Sequence, residues 1–180
     1  MKVIKVGFTG SRPKDLGGYS WSSPINKKIL KKIEQILLLC CEEYDLVIVI
    51  TGGALGFDQM VGVIAQLLKD KGYRIQTIVA VPFEDQPKCW KGYDLEETLD
   101  RYYYILENAG EVVYVDTIAK YTLGVLPPKI YHAGKYIKRN EYIVDMSDMI
   151  IACQGNHSKG TQRTIDYARQ TGKPVTRIEF

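Results

Sequence analysis

The chain has 180 residues, an apolar fraction of 46% and a formal net charge of +3. That length suits one domain with a full core and no need of staples. The mild charge neither demands nor excludes nucleic acid, and no apolar run reaches the length of a membrane span.

The first stretch, Met1-Lys2-Val3-Ile4-Lys5-Val6, alternates like a strand and lacks a signal-peptide cleavage pattern. A strand is expected over residues 3–8, ending in Thr9-Gly10-Ser11-Arg12-Pro13. A glycine-bearing loop follows. Ser23 then Pro24 reads as a helix start, a capping hydroxyl before a first-turn proline. Ile25, Ile29, Ile33, Ile36, Leu37 and Cys40 share one face of that helix. Lys27, Lys28, Lys31 and Lys32 lie on its flanks and read as a solvated face. A second strand over 46–50 runs into Thr51-Gly52-Gly53-Ala54-Leu55-Gly56-Phe57-Asp58. The next helix extends to about Lys71 and stops at Gly72. A third strand over 74–81 ends at Pro82-Phe83, before a loop over 84–93 that holds Trp90.

Leu95, Leu99, Tyr102, Tyr103 and Leu106 mark a helix over 95–108, followed by a strand over 111–115. Residues 116–134 show no firm period, and Gly124, Pro127 and Pro128 mark them as an irregular insert. A helix over 135–146, a wholly apolar strand over 149–153, a loop over 154–159, a helix over 160–170 and a strand over 175–178 complete the chain. Strands that alternate with helices predict an α/β fold, a doubly wound, mostly parallel sheet with helices on both faces. One domain over 1–180 is expected. Ligands of such sheets bind at the carboxyl ends of the strands. That rule picks out the loops at 9–13, 51–58, 82–90 and 154–161.

Three of those loops are rich in small polar residues: Gly10-Ser11-Arg12, Thr51-Gly52-Gly53 and Ser158-Lys159-Gly160-Thr161. Side by side they would line one crevice with backbone donors, hydroxyls and two cations, a lining suited to phosphate. The turn at 51–58 brings bare N–H groups to a helix N-terminus, although glycines also make tight turns with no ligand present. Arg12 is the residue to grip a phosphate bidentately. Asp58 either accepts ribose hydroxyls or only complements its helix dipole. Phe83 and Trp90 are candidates to stack on a base, with the core as their other destination. Cys40, Cys41, Cys89 and Cys153 form no C-x-x-C pair and read as reduced thiols of a cytoplasmic protein. No cysteine or histidine cluster has ligand spacing, so no metal is expected, and no cofactor. The first strand is not followed by G-x-G-x-x-G, and no G-x-x-x-x-G-K-[ST] occurs.

Taken in order, T-G-S-R-P, T-G-G-A-L-G-F-D, V-P-F-E-D-Q-P-K-C-W, R-N-E-Y-I-V-D-M-S-D-M-I-I-A and G-T-Q-R-T-I-D-Y-A-R-Q-T-G-K-P-V resemble the YpsA-like branch of the SLOG superfamily. The likeness covers nearly the whole chain. That superfamily also holds the LOG phosphoribohydrolases and the DNA-processing protein DprA. The resemblance implies a Rossmann-like fold and a site for nucleotides or nucleotide-derived ligands such as ADP-ribose, often in sensors. Carried over by position, the ligand contacts would be Gly10, Ser11, Arg12, Gly52, Gly53, Gly56, Asp58, Gly160 and Thr161. The LOG pattern P-G-G-x-G-T-x-x-E is only partly present: Gly160-Thr161 matches G-T, but Thr164 stands in place of the glutamate. Asn156-His157 replaces the paired glycines, and Asp166 comes two positions late, roughly 200° further round a helix.

The expectation is therefore a protein that binds a nucleotide-derived small molecule as a sensor or sequestering protein. A nucleotide N-glycosidic hydrolase or transferase with Asp58 as its acid is the alternative. Nucleic acid and membrane are not expected as partners, and a homodimer is expected should an apolar helix face prove exposed.

Overall fold

The computed structural model describes residues 1–91, 95–124 and 129–180. Pro127, Pro128 and the end of the expected 84–93 loop lie outside them. The strands are β1 (Val3–Gly10), β2 (Leu46–Thr51), β3 (Ile75–Val81), β4 (Glu111–Tyr114), β5 (Met149–Cys153) and β6 (Val175–Arg177). The helices are α1 (Pro24–Glu43), α2 (Phe57–Asp70), α3 (Leu95–Asn108), α4 (Ala133–Met146) and α5 (Lys159–Gln170). All six strands are parallel, in the order β4-β3-β2-β1-β5-β6.

β1 is central and longer than its apolar run. It continues to Gly10 because Thr9 and Gly10 still pair with Ala152 and Cys153 of β5. With neighbours on both sides and helices on both faces, it buries Val6 and Phe8 fully. One core lies between the sheet and α1 and α2, around Phe8, Ile29, Ile33, Leu37 and Met60. A second lies under α4 and α5, around Ile50, Ile143, Ile150 and Ala168. Burying each of these side chains larger than alanine stabilises the fold by about 1.5–3 kcal/mol.

Ser23 caps α1 by accepting from the Asn26 N–H at 3.3 Å, and Pro24 fills the first turn. The inward face differs from the sequence reading at one end. Ile25 is exposed and Asn26 is fully buried. The Asn26 amide donates to the carbonyls of Gly18 and Ser20 and accepts from the Gly17 N–H, which fixes the loop before the helix. In α3 the inward residues are Thr98, Tyr102 and Ile105, whereas Leu95 and Tyr103 face out. The face is turned by about one residue step, roughly 100°.

The insert after β4 makes two short 3-10 turns, Val115–Thr117 and Ala119–Tyr121. A buried ion pair, Lys135 to Asp116 at 2.9 Å, ties it to α4.

The strand order sets the site. From β1 the chain adds β2, β3 and β4 on one side, then crosses back to place β5 on the other side of β1. Such a reversal opens a crevice outside the carboxyl ends of the two strands that flank it. Here those ends are Gly10 and Cys153.

Candidate functional site

A cleft of about 270 Å³ lies at that reversal. Its walls come from the β1 end (Gly10, Arg12), the start of α2 (Asp58), α4 (Tyr136, Arg139, Asn140) and the start of α5 (Ser158, Gly160, Thr161). The first and third of the glycine-bearing loops therefore meet. They are joined directly: the Gly155 N–H donates to Ser11 Oγ at 2.8 Å, and the Ser11 N–H donates to the Cys153 carbonyl at 3.0 Å. Ser11 is fully buried in this joint.

The middle loop is used differently. Gly52 and Gly53 are buried. A Cβ on Gly52 would overlap Arg139 Nη1, and one on Gly53 would press on Val79 and Tyr102. Gly52 thus makes room for the guanidinium that crosses from α4. Arg139 Nη1 reaches Asp58 Oδ2 at 3.1 Å, and both side chains are under 10% exposed (6% and 9%). Gly56 caps α2 with φ +91°, and a Cβ there would stand 2.6 Å from the Ser11 carbonyl oxygen. Two first-turn donors of α2 are spent inside the protein. The Phe57 N–H donates to the Ser11 carbonyl, the Gln59 N–H to the Ala54 carbonyl, and the Asp58 carboxylate accepts from the Ala54 N–H.

The start of α5 is the opposite case. Lys159 and Gly160 are exposed. Ser158 supplies no side-chain cap, because its hydroxyl is paired with Thr161 Oγ1 at 2.6 Å. The backbone N–H groups of Gly160 and Thr161 take no part in the turn and cap hydrogen bonds of the described residues. Such a helix end carries a positive partial charge and unspent donors.

Two guanidinium groups face one carboxylate on the cleft floor. Arg12 is half-buried, stacks near the Tyr136 ring at 5.8 Å, and makes no ion pair among the described residues. Burial pulls its guanidinium down from the usual value, Asp58 opposes that, and Arg139 adds to it. Burial pushes the Asp58 carboxyl up from the ordinary range against the pull of Arg139 and Arg12. Arg139 Nε is buried without a hydrogen-bond partner. An unpaired charged donor in such a place costs free energy until an acceptor meets it.

Phe83 and Trp90 do not line the cleft. Phe83 is fully buried, edge-on to Tyr131 and Tyr136. Trp90 is 7% exposed and packs edge-on against Tyr102. Neither ring presents a free face in this structure. Thr164 donates to the Gly160 carbonyl at 3.0 Å, and exposed Asp166 accepts from Gln162 at 2.7 Å. Both are taken up by the helix they sit on.

Tyr136, Arg139 and Asn140, all on α4, are among the cleft residues that the sequence reading did not count as ligand contacts. Arg139 pairs with a residue 81 positions away, a separation that leaves no local pattern. The available signal was the arginine itself, in a helix otherwise turned toward the sheet.

Fold and cleft together define a Rossmann-like α/β protein with its crevice at the switch point of the sheet. The chain belongs to the YpsA family, described as the YspA SLOG family, whose model matches residues 6–180. It is 35% identical to the uncharacterized SPbeta prophage-derived protein YoqJ of Bacillus subtilis over 122 residues, 68% of this chain and 69% of that one. It is 28% identical to the UPF0398 protein BH1768 of Halalkalibacterium halodurans over 162 residues, 89% of this chain and 76% of that one.

Among solved structures, it resembles the DNA processing protein A of Streptococcus pneumoniae with a TM-score of 0.62 and 17% identity. It covers 99% of this chain but only 54% of that protein. The corresponding protein of Helicobacter pylori, solved for its single-stranded DNA binding mode, gives a TM-score of 0.62 and 18% identity over 66% of its length. At those identities the likeness is one of fold. Membership of the SLOG family suggests a nucleotide-related function. Among the described residues, no helix is long and apolar enough to cross a membrane.

Proposed function

We propose that the cleft binds a nucleotide-derived small molecule by its phosphate, and that the protein acts as a sensor or sequestering protein for it. The observation that carries this reading is the open N-terminus of α5 set opposite Arg12, with the unpaired Nε of Arg139 beneath. Free backbone donors, a helix dipole and a guanidinium converge on one hollow, which is what a phosphate needs. Gly10, Arg12, Ser158, Gly160 and Thr161 would touch the ligand. Ser11, Gly52, Gly56 and Asp58 would hold the arginines and the loops in place. ADP-ribose is the first ligand to try. Calorimetry with ADP-ribose, NAD and AMP should show saturable binding that weakens on Arg12→Ala. Folded protein that binds none of them would refute the reading.

The enzymatic alternative, cleavage at a nucleotide's N-glycosidic bond, has one favouring feature. Asp58 lines the cleft, and its carboxyl is pushed up by burial, as in many acid catalysts. Free base released from AMP, and lost in Asp58→Asn, would support it. Unchanged release in that variant would remove Asp58 from the chemistry. Single-stranded DNA enters through the fold likeness to DNA processing protein A alone. Binding through many phosphates would fall steeply with salt, which a one-ligand cleft does not do.

A further inference from the structure

We propose that the groove between α4 and α5 seats the flat, uncharged ring of the ligand whose anionic end lies in the cleft. The inference rests on the nucleotide reading above and says where the base goes. At about 270 Å³ the cleft is smaller than the roughly 300–1,000 Å³ of sites that enclose a whole small molecule. It has room for a phosphate or pyrophosphate. The rest of a nucleotide must leave it through a neighbouring hollow.

Three hollows share walls with the cleft; one, of about 290 Å³, shares His157, Ser158 and Lys159 and has only polar side chains in its walls, and two are larger. One, of about 540 Å³, shares Lys14, Asp15 and His157 and runs on to Arg177 and Glu179. Its walls mix four charged side chains, Lys14, Asp15, Arg177 and Glu179, with Leu16, Ile25, Ile178 and Phe180, and hold one phenyl ring against the three tyrosines of the next. The other, of about 620 Å³, shares Tyr136, Asn140 and Gly160 and continues between the two helices past Tyr131, Ile137 and Tyr167. Aromatic and aliphatic walls favour a ring face, since every base has a π-face to stack. Asn140, Glu141 and Arg163 give the groove donors and acceptors for ring edges. Ile137 and Tyr131 are 38% and 57% exposed, so part of their apolar surface lies open among the described residues.

Gly160 lies between cleft and groove, and beyond its chain neighbours and its own helix backbone no atom lies within 4 Å of the place its Cβ would take. A ligand can therefore cross the α5 N-terminus with its phosphate on one side and its ring on the other. A larger residue there would stand in the path.

Calorimetry on the intact chain with AMP and with inorganic pyrophosphate tests this. Ile137→Asn should weaken AMP about tenfold or more and leave pyrophosphate within about twofold. Tyr131→Ala, at a more exposed position, should act in the same direction. Arg177→Gln, in the 540 Å³ hollow, should change neither ligand. AMP affinity unmoved by both groove variants would overturn the proposal, as would a loss of AMP affinity in Arg177→Gln. AMP no tighter than pyrophosphate on the unaltered protein would also overturn it, while the phosphate site stood. If neither ligand binds, the nucleotide reading falls and this inference with it. A dimer that Ile137→Asn dissociates, read by sedimentation, would seat a second copy in the groove and so overturn it too.

Discussion

The turns at 51–58 and 154–161 follow the same plan, a strand that ends in small residues and passes into a helix. Their fates differ. The first is closed. Arg139 covers Gly52, Tyr102 abuts Gly53, and the Phe57 and Gln59 N–H groups of α2 are spent on the Ser11 and Ala54 carbonyls. The second is open, with Gly160 exposed and no side-chain cap at Ser158. Glycines at a strand–helix turn thus permit a close approach without saying what approaches. In the first turn it is the protein's own guanidinium. In the second, no side chain of the described residues closes over Gly160.

That contrast can be broken most forcefully at the buried ion pair. Arg139→Met leaves the Asp58 carboxylate without its buried partner, which should cost about 3–5 kcal/mol in denaturant unfolding. Asp58→Asn in the same chain should recover part of that loss, because no charge is then stranded.

The two glycines that flank the comparison should respond in opposite ways. Gly56→Ala forces a Cβ toward the Ser11 carbonyl at a φ of +91°. It should destabilise by about 3 kcal/mol. Gly160→Ala meets nothing within 4 Å and sits inside a helix. It should leave stability unchanged or raise it by up to about 1 kcal/mol, while lowering nucleotide affinity. Comparable thermal melts for the two variants would erase the distinction drawn between the turns.

Arg12→Ala should separate function from fold. Arg12 has no ion pair among the described residues. Its removal should cost ligand affinity about ten- to a hundredfold, with little change in melting temperature.

The smallest effect lies away from both turns. Asp145 accepts from Lys120 and Tyr121 at 2.6 Å and from Tyr167 at 3.0 Å. Burial alone would raise its carboxyl, but those donors outweigh burial and hold it below the ordinary range. A carboxyl lowered by folding adds stability above its unfolded pKa of about 3.9, and loses it as pH falls through the lower folded value. Melting temperature should therefore drop as pH falls below about 4, and Asp145→Asn should flatten that drop. An unaltered slope in the variant would remove this clamp from the acid response.

The layering was legible because it depends on local chemistry. Ser23-Pro24 marks the start of α1, and the apolar block 149–153 is the strand β5. The resemblance named the family that the match over residues 6–180 shows. Rotations about helix axes were less legible. In α1, Asn26 turns inward because loop carbonyls at Gly18 and Ser20 await its amide, and Ile25 is turned out. In α3, Thr98 takes a place the pattern assigned to Leu99 or Tyr103.

The site was legible in part. Spacing and strand ends located the loops at Gly10 and Gly160, which do meet at one cleft. Spacing could not show that α4 sends Arg139 across the crevice to Asp58, since the two are 81 positions apart. Nor could it show that the rings of Phe83 and Trp90 are taken up by Tyr131, Tyr136 and Tyr102. Both depend on which residues the sheet order brings face to face.

Amide shift mapping by NMR during a titration with ADP-ribose tests the central contrast most directly. The largest movements should fall on the amides of Arg12, Lys159, Gly160 and Thr161, with Gly52 and Gly53 moving little. Shifts centred on Gly52 and Gly53, or none at the start of α5 under saturating ligand, would contradict it.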